Sequence, residues 1–188
     1  SIDEVLEELK RISTEAVERI RRVAERNRKS VEEVRKRIEE VAKRIREIAT
    51  RLLERIRRVE LPEKDVERLL REVEEEVRRV EDTIERLLEE NEEIMRDSVR
   101  KIEKLVEDNR RVLEELTRRI ERLKDNGGID EELKKLLDEL EKISRDSDER
   151  LKESTKKVRD VNRESDKKLK ELLKRVEDVL EKVDRELK

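Results

Sequence analysis

The amino-acid sequence predicts an all-α fold, an antiparallel up-down-up three-helix bundle of long, nearly straight helices. Apolar residues recur with helical periodicity along almost the whole chain, and this pattern breaks at only two places. The connections at those breaks are short, which forces consecutive helices to run antiparallel. We therefore expect a single bundle over residues 1–188, with helices at about 1–60, 62–125 and 130–188.

The apolar pattern repeats every 18 residues, which is five turns at 3.6 residues per turn. Side chains at this spacing lie on one face of a straight helix, whereas a strict heptad imposes a left-handed supercoil. The repeat therefore predicts helices without strong supercoiling. One column from each helix illustrates it: Ile2, Ile20, Ile38 and Ile56; Leu69, Leu87, Leu105 and Leu123; Leu133, Leu151, Leu169 and Leu187.

The first helix begins at Ser1, which forms a capping-box pattern with Glu4. It ends near Pro62, because proline cannot continue a preceding helix. Proline does suit the first turn of the following helix. Glu63 and Asp65 then stand where negative charge interacts favourably with the helix dipole. The second helix therefore begins at about residue 62.

The second break is the segment Asp125-Asn126-Gly127-Gly128-Ile129-Asp130, which contains both glycines of the chain. Glycine adopts the positive φ angles that end a helix and turn the chain. Asp130 is a favourable N-cap for the third helix. A single continuous coiled coil is excluded by the two glycines.

Each helix carries one apolar stripe with an arc of about 120°. A stripe of this width closes a three-helix core, and no helix shows a second stripe for a fourth partner. We therefore expect a monomer of about 23 kDa without partners.

Small polar residues occupy the core columns rather than the exposed faces. Every Ser except Ser1, and every Asn except Asn126, falls in such a column. Together with one threonine they form the predicted structural polar core: Ser13, Asn27, Ser30, Asn91, Ser98, Asn109, Ser144, Ser147, Ser154, Thr155, Asn162 and Ser165.

An axial alignment of the helices predicts which of these residues meet. Position i of the first helix lies level with about 125 minus i in the second, and with about i plus 128 in the third. Three layers result: Asn27, Ser98 and Ser154 with Thr155; Ser13, Asn109 and Ser144; Asn91 and Asn162. Buried amides and hydroxyls need partners, so we expect complete hydrogen-bond networks that fix helix register. The alternative interpretation is a polar ligand site or a water path.

The composition argues against most chemistry. The chain has no Cys, no His and no aromatic residue, which removes the usual nucleophile, general base and metal ligands. We expect no enzyme activity and no catalytic, cofactor-binding or metal-binding residues. The pairs Arg21-Arg22 and Arg57-Arg58 have acidic neighbours, and base stacking needs aromatics, so we expect no nucleic-acid partner. With no long apolar run and no signal-peptide pattern, we expect a soluble protein without membrane contact.

The chain resembles computationally designed, parametric helical bundles with buried hydrogen-bond networks. The resemblance covers all 188 residues and rests on the 18-residue registers, the Asn and Ser confined to core columns, the Glu, Arg and Lys surfaces, and the short loop at 126–130. It implies a structural scaffold without evolved activity, made by recombinant cytoplasmic expression.

Two other classes of protein remain as alternatives. A helical interaction module would accept a partner helix as a heterodimer or oligomer building block, and it requires an apolar seam along two helices. A lipid-binding bundle similar to apolipoproteins requires 11-residue repeats, interfacial aromatics and prolines between helices, of which only Pro62 is present.

Overall fold

The computed structural model describes the backbone of residues 2–126 and 129–188, and the side chains of residues 2–123 and 131–188. It contains three helices: α1 (Ile2–Arg58), α2 (Glu63–Asn126) and α3 (Ile129–Leu187). All three pairs of helices are in contact, and the described residues contain no strand. The predicted antiparallel three-helix bundle is confirmed, and the helix bounds lie within two residues of those expected. The Ser1 cap, the turn at Gly127 and Gly128 and the Asp130 side-chain cap lie outside the described part.

The connection between α1 and α2 is built around Pro62. The backbone N–H groups of Asp65 and Val66 donate to the Pro62 carbonyl at 2.9 and 3.1 Å, and the N–H of Leu61 donates to the Val59 carbonyl at 3.2 Å. The residue that precedes a helix already accepts its first hydrogen bonds through its carbonyl. Pro62 is therefore the flanking residue of α2, one position earlier than the predicted first-turn placement.

The chain divides into two compact units, each containing a segment of all three helices. The first unit comprises Ser1–Lys29 and Met95–Arg159, and the second comprises Ser30–Ile94 and Asp160–Lys188. Each unit has its own buried apolar clusters. The expectation of a single domain stays a prediction.

In the first unit, the beginning of α1 packs on the end of α2 and the beginning of α3. This arrangement makes α2 antiparallel to the other two helices. Burying each large aliphatic side chain stabilises the fold by about 1.5 to 3 kcal/mol. Two clusters carry this core: Leu9, Leu116, Ile120, Leu133, Leu136 and Leu140; Ile20, Ile102, Leu105 and Leu151.

In the second unit, the end of α1 packs on the beginning of α2 and the end of α3. The order of the helices is the same as in the first unit. Its buried residues also form two clusters: Val34, Ile38, Ala42, Ile45, Val80, Ile84, Leu87, Leu169, Leu172 and Val176; Leu52, Ile56, Leu69, Val73 and Val183.

Ion pairs join α1 to α3 at the rim of the second unit's core. Arg37 Nη2 lies 3.1 Å from Asp166 Oδ2, and Arg55 Nη1 lies 2.6 Å from Asp184 Oδ1. These side chains are about half exposed, so each pair contributes little to stability. Their common offset of 129 residues shows that α1 and α3 run parallel in this unit.

Candidate functional site: the buried polar residues

The twelve polar residues singled out in the sequence are buried or half-buried in the two units. Three of them, Ser30, Ser144 and Thr155, are half-buried. The other nine are at most 8% exposed: Ser13, Asn27, Asn91, Ser98, Asn109, Ser147, Ser154, Asn162 and Ser165. Because water does not reach most of these side chains, each polar group depends on hydrogen bonds within the protein.

Asn91 and Asn162 lie in the second unit but bond to different groups. Asn91 Nδ2 donates to the backbone carbonyl of Val31 at 3.0 Å, and Asn162 Nδ2 donates to Ser30 Oγ at 2.8 Å. The expected pairing of the two amides is therefore wrong. Both partners lie at one level of α1, so both asparagines link their own helix to α1 at adjacent residues.

Asn109 in the first unit bonds to Ser147 rather than to the predicted layer partners Ser13 and Ser144. Its Nδ2 donates to Ser147 Oγ at 3.0 Å and to the Leu105 carbonyl of its own helix at 2.7 Å. Ser144 Oγ instead accepts a hydrogen bond from Arg19 Nη2 at 3.2 Å. The predicted layer is corrected because Ser144 lies towards the helix edge, where a cationic side chain reaches it.

The remaining predicted layer contains no hydrogen bond between its members among the described residues. Asn27 Nδ2 is buried without a hydrogen-bond partner, and the same is true of Asn162 Oδ1 and Ser165 Oγ. Instead of complete networks, the structure has individual bonds between helices. These groups are neutral amides and hydroxyls, which can fix a register but supply no acid, base or nucleophile of shifted pKa.

Glu76 is a core residue that the sequence analysis missed. Its side chain is only 14% exposed and borders an apolar cavity of about 30 Å³ in the second unit. Oε1 is buried without a hydrogen bond, although Arg175 Nη2 lies 3.6 Å away. Glu76 stands 18 residues before Ile94 and 36 before Val112, so the repeat itself marks this position as apolar.

The pKa values of two lysines in the first unit shift in opposite directions. Hydrogen bonding with Lys157 raises the pKa of Lys101, and Asp97, whose Oδ2 lies 3.0 Å from Lys101 Nζ, adds to that rise. Hydrogen bonding with the Lys101 ammonium lowers the pKa of Lys157. A lowered pKa makes an amine more nucleophilic at a given pH. Lys157 nevertheless lies on an exposed helix face, where no pocket would orient a substrate.

The described residues contain no group of three or more His, Cys, Asp or Glu arranged to hold a metal ion. Within the same ranges, no helix combines the length and apolar character required to cross a bilayer. Comparisons with known protein families, curated proteins and solved structures gave no match.

Proposed function

We propose that the chain is a computationally designed helical bundle whose function is structural, a scaffold that holds three helices in one register. The observation that carries this proposal is the way the buried amides bond. Asn91, Asn109 and Asn162 each donate across a helix interface from within an otherwise apolar core. A buried polar group costs stability unless it is paired, and such groups can specify one alignment over others.

The surface of the bundle supports a closed monomer as part of this proposal. An acceptor for an additional helix needs an apolar seam along two helices. Among the described large hydrophobic residues, Val99 is the exposed one, at 44%. Light scattering should give about 23 kDa from micromolar to millimolar concentration, and a dimer or higher species would support the helix-accepting alternative instead.

The register itself can be measured by spin-label distances in the second unit. The chain has no cysteine, so Glu40→Cys on α1 and Glu85→Cys on α2, both exposed, give unambiguous labelling. We expect a single narrow distance distribution. A slip by one helical turn would move the labels by about 5.4 Å along the axis. A broad or multiple distance distribution in the labelled protein that keeps both asparagines would contradict a register-holding scaffold.

The same labels test the role of the asparagines. The double variant Asn91→Leu with Asn162→Leu removes two buried amides, so we expect equal or higher stability and a broader distance distribution. A matched control replaces two exposed residues, Glu33→Leu and Glu89→Leu. If the asparagine variant keeps the narrow distribution of the control, the buried amides do not specify the register.

A further inference from the structure

Six cationic side chains line one groove between α1 and α3 in the first unit. The groove has a volume of about 680 Å³, and Asp148 is the single acidic residue among those that line it. Like charges gathered along a concave surface produce a positive potential that attracts anions. The cationic residues are Arg19, Arg22 and Arg26 of α1, and Lys152, Lys156 and Arg159 of α3.

Only one of the six cations takes part in an ion pair within the described part of the chain. Arg19 lies 3.8 Å from Asp148 and donates to Ser144. The other five cations have no ion pair with any side chain in the described part of the chain. The five therefore face solvent with their donors free to bind an added anion.

The corresponding groove of the second unit shows that this excess is not a general property of the α1–α3 interface. That groove is lined by two cations and two carboxylates. Arg37 and Asp166 join across it at 3.1 Å. Each groove thus contains one Arg–Asp pair between α1 and α3, and the groove of the first unit differs by five additional cations where that of the second has one cation and one carboxylate.

The spacing of the cations defines the chemistry of the ligand. Arg19 and Arg26 are seven residues apart, as are Lys152 and Arg159, so each row extends for about 10 Å. Guanidinium groups bind phosphate oxygens through paired hydrogen bonds, and lysines add point charges. Half-buried Thr155 contributes a neutral hydroxyl to the floor. The chain has no aromatic residue for base stacking, which favours an inorganic anion over a nucleic acid.

We propose that this groove binds a short linear oligophosphate in free solution. Its several phosphate groups lie on one axis and can contact both rows of cations together. This binding is independent of the scaffold role, because it requires only the surface of one unit.

Isothermal titration of the full chain with sodium tripolyphosphate tests the proposal. We expect one site per chain at an ionic strength of about 20 mM, with clear weakening at about 150 mM, where the Debye length falls to about 8 Å. Orthophosphate reaches only part of each row and should bind at least about tenfold more weakly. Equal affinity for the two anions would overturn a site that recognises a linear chain of phosphates.

Two triple variants with identical changes in composition and net charge locate the binding. The groove variant is Arg22→Gln, Arg26→Gln and Lys156→Gln; the control variant is Arg44→Gln, Arg51→Gln and Lys36→Gln, at exposed positions of the second unit. We expect the groove variant to lose at least about tenfold in affinity, and the control variant less than about twofold, because screening limits distant charges. Equal losses would overturn the proposed location. Since all six positions are exposed, circular dichroism should show both variants folded.

A vesicle experiment separates free oligophosphate from lipid headgroups of the same chemistry. Phosphatidylcholine vesicles containing phosphatidylinositol bisphosphate present phosphate groups at a bilayer surface. We expect the chain to remain in the supernatant at phosphate concentrations that saturate the tripolyphosphate site. Sedimentation with the vesicles at those concentrations, abolished in the groove variant, would overturn the assignment to a free anion.

Discussion

Replacing Glu76 by isoleucine should stabilise the second unit. The substitution restores the apolar residue that the 18-residue repeat places at this column, as at Ile94. It removes a carboxylate oxygen that is buried without a hydrogen bond, and it places a methyl-bearing side chain beside an apolar cavity. The structure allows the separate contributions to be compared.

Filling a cavity of about 30 Å³ contributes about 0.7 kcal/mol at about 24 cal/mol per Å³. Removing an unsatisfied buried acceptor contributes about 1 to 3 kcal/mol. Against this, Glu76 loses contacts of 3.6 and 3.7 Å with Arg175 and Arg79. Those arginines are more than half exposed, so each pair is worth at most about 1 kcal/mol. The net expectation is a gain of about 1 to 2 kcal/mol in the free energy of unfolding.

Guanidinium chloride unfolding at pH 7 measures this gain as a higher transition midpoint. The matched control is Glu75→Ile, which makes the same chemical change at the neighbouring exposed position. Isoleucine there buries nothing new and should leave the midpoint nearly unchanged. If Glu76→Ile gains no more than Glu75→Ile, or loses stability, then the Glu76 carboxylate is better accommodated than its burial implies, and the reasoning fails.

Three further outcomes follow from particular contacts. Asp97 has its pKa lowered from 3.8 by hydrogen bonding with Lys101, so its stabilising effect is present above that value and is lost as the pH falls further. Three glutamates whose pKa values are lowered by hydrogen bonds from arginines act in the same direction. Denaturant midpoints should therefore stay flat from about pH 5 to 8 and fall below about pH 4; midpoints that stay flat below about pH 4 would contradict these contacts. A double-mutant cycle on Asn109→Ala and Ser147→Ala should give a coupling energy of about 0.5 to 1.5 kcal/mol; additive effects would show that the two side chains do not bond. The pKa of Lys157 should rise in Lys101→Gln, because the hydrogen bond that lowers it is lost, and side-chain NMR titration would show no change if the lysines are independent.

The fold could be predicted from the sequence because helical periodicity extends over many residues and a few helix-ending residues mark where each helix stops. Helical spacing repeated for about 60 residues leaves no other regular structure, and a proline ends α1 by the absence of an N–H. The connection at Pro62 also shows the limit of this approach, since an offset of one residue decides whether proline flanks the helix or begins it. The exact position of proline depends on which backbone hydrogen bonds close the turn between α1 and α2.

The bonding partners of the polar residues could not be predicted in the same way. An axial alignment uses only the rise per residue, whereas a hydrogen bond also depends on the direction in which each side chain leaves its helix. Ser144 and Ser147 differ by about 4.5 Å in height and by about 60° around the helix, and Asn109 bonds to the second. The cationic groove of the first unit could not be predicted from neighbours along the chain, because its cations come from two different helices, α1 and α3.

The two asparagines of the second unit differ in whether their acceptor depends on the identity of a particular residue of α1. A backbone carbonyl is present at every residue of α1, so the bond from Asn91 to Val31 can be remade at another turn after a slip. A side-chain hydroxyl, in contrast, is present at only a few residues of α1, and Asn162 donates to the hydroxyl of Ser30. After a slip of one turn towards the end of α1, Asn162 would face Val34, and after two turns towards its beginning it would face Val23; neither valine offers a side-chain acceptor. A slip of one turn towards the beginning of α1 would instead bring Asn162 level with the buried amide of Asn27. The bond of Asn162 therefore disfavours the alignments that bring it to a valine, whereas the bond of Asn91 can be remade in any alignment.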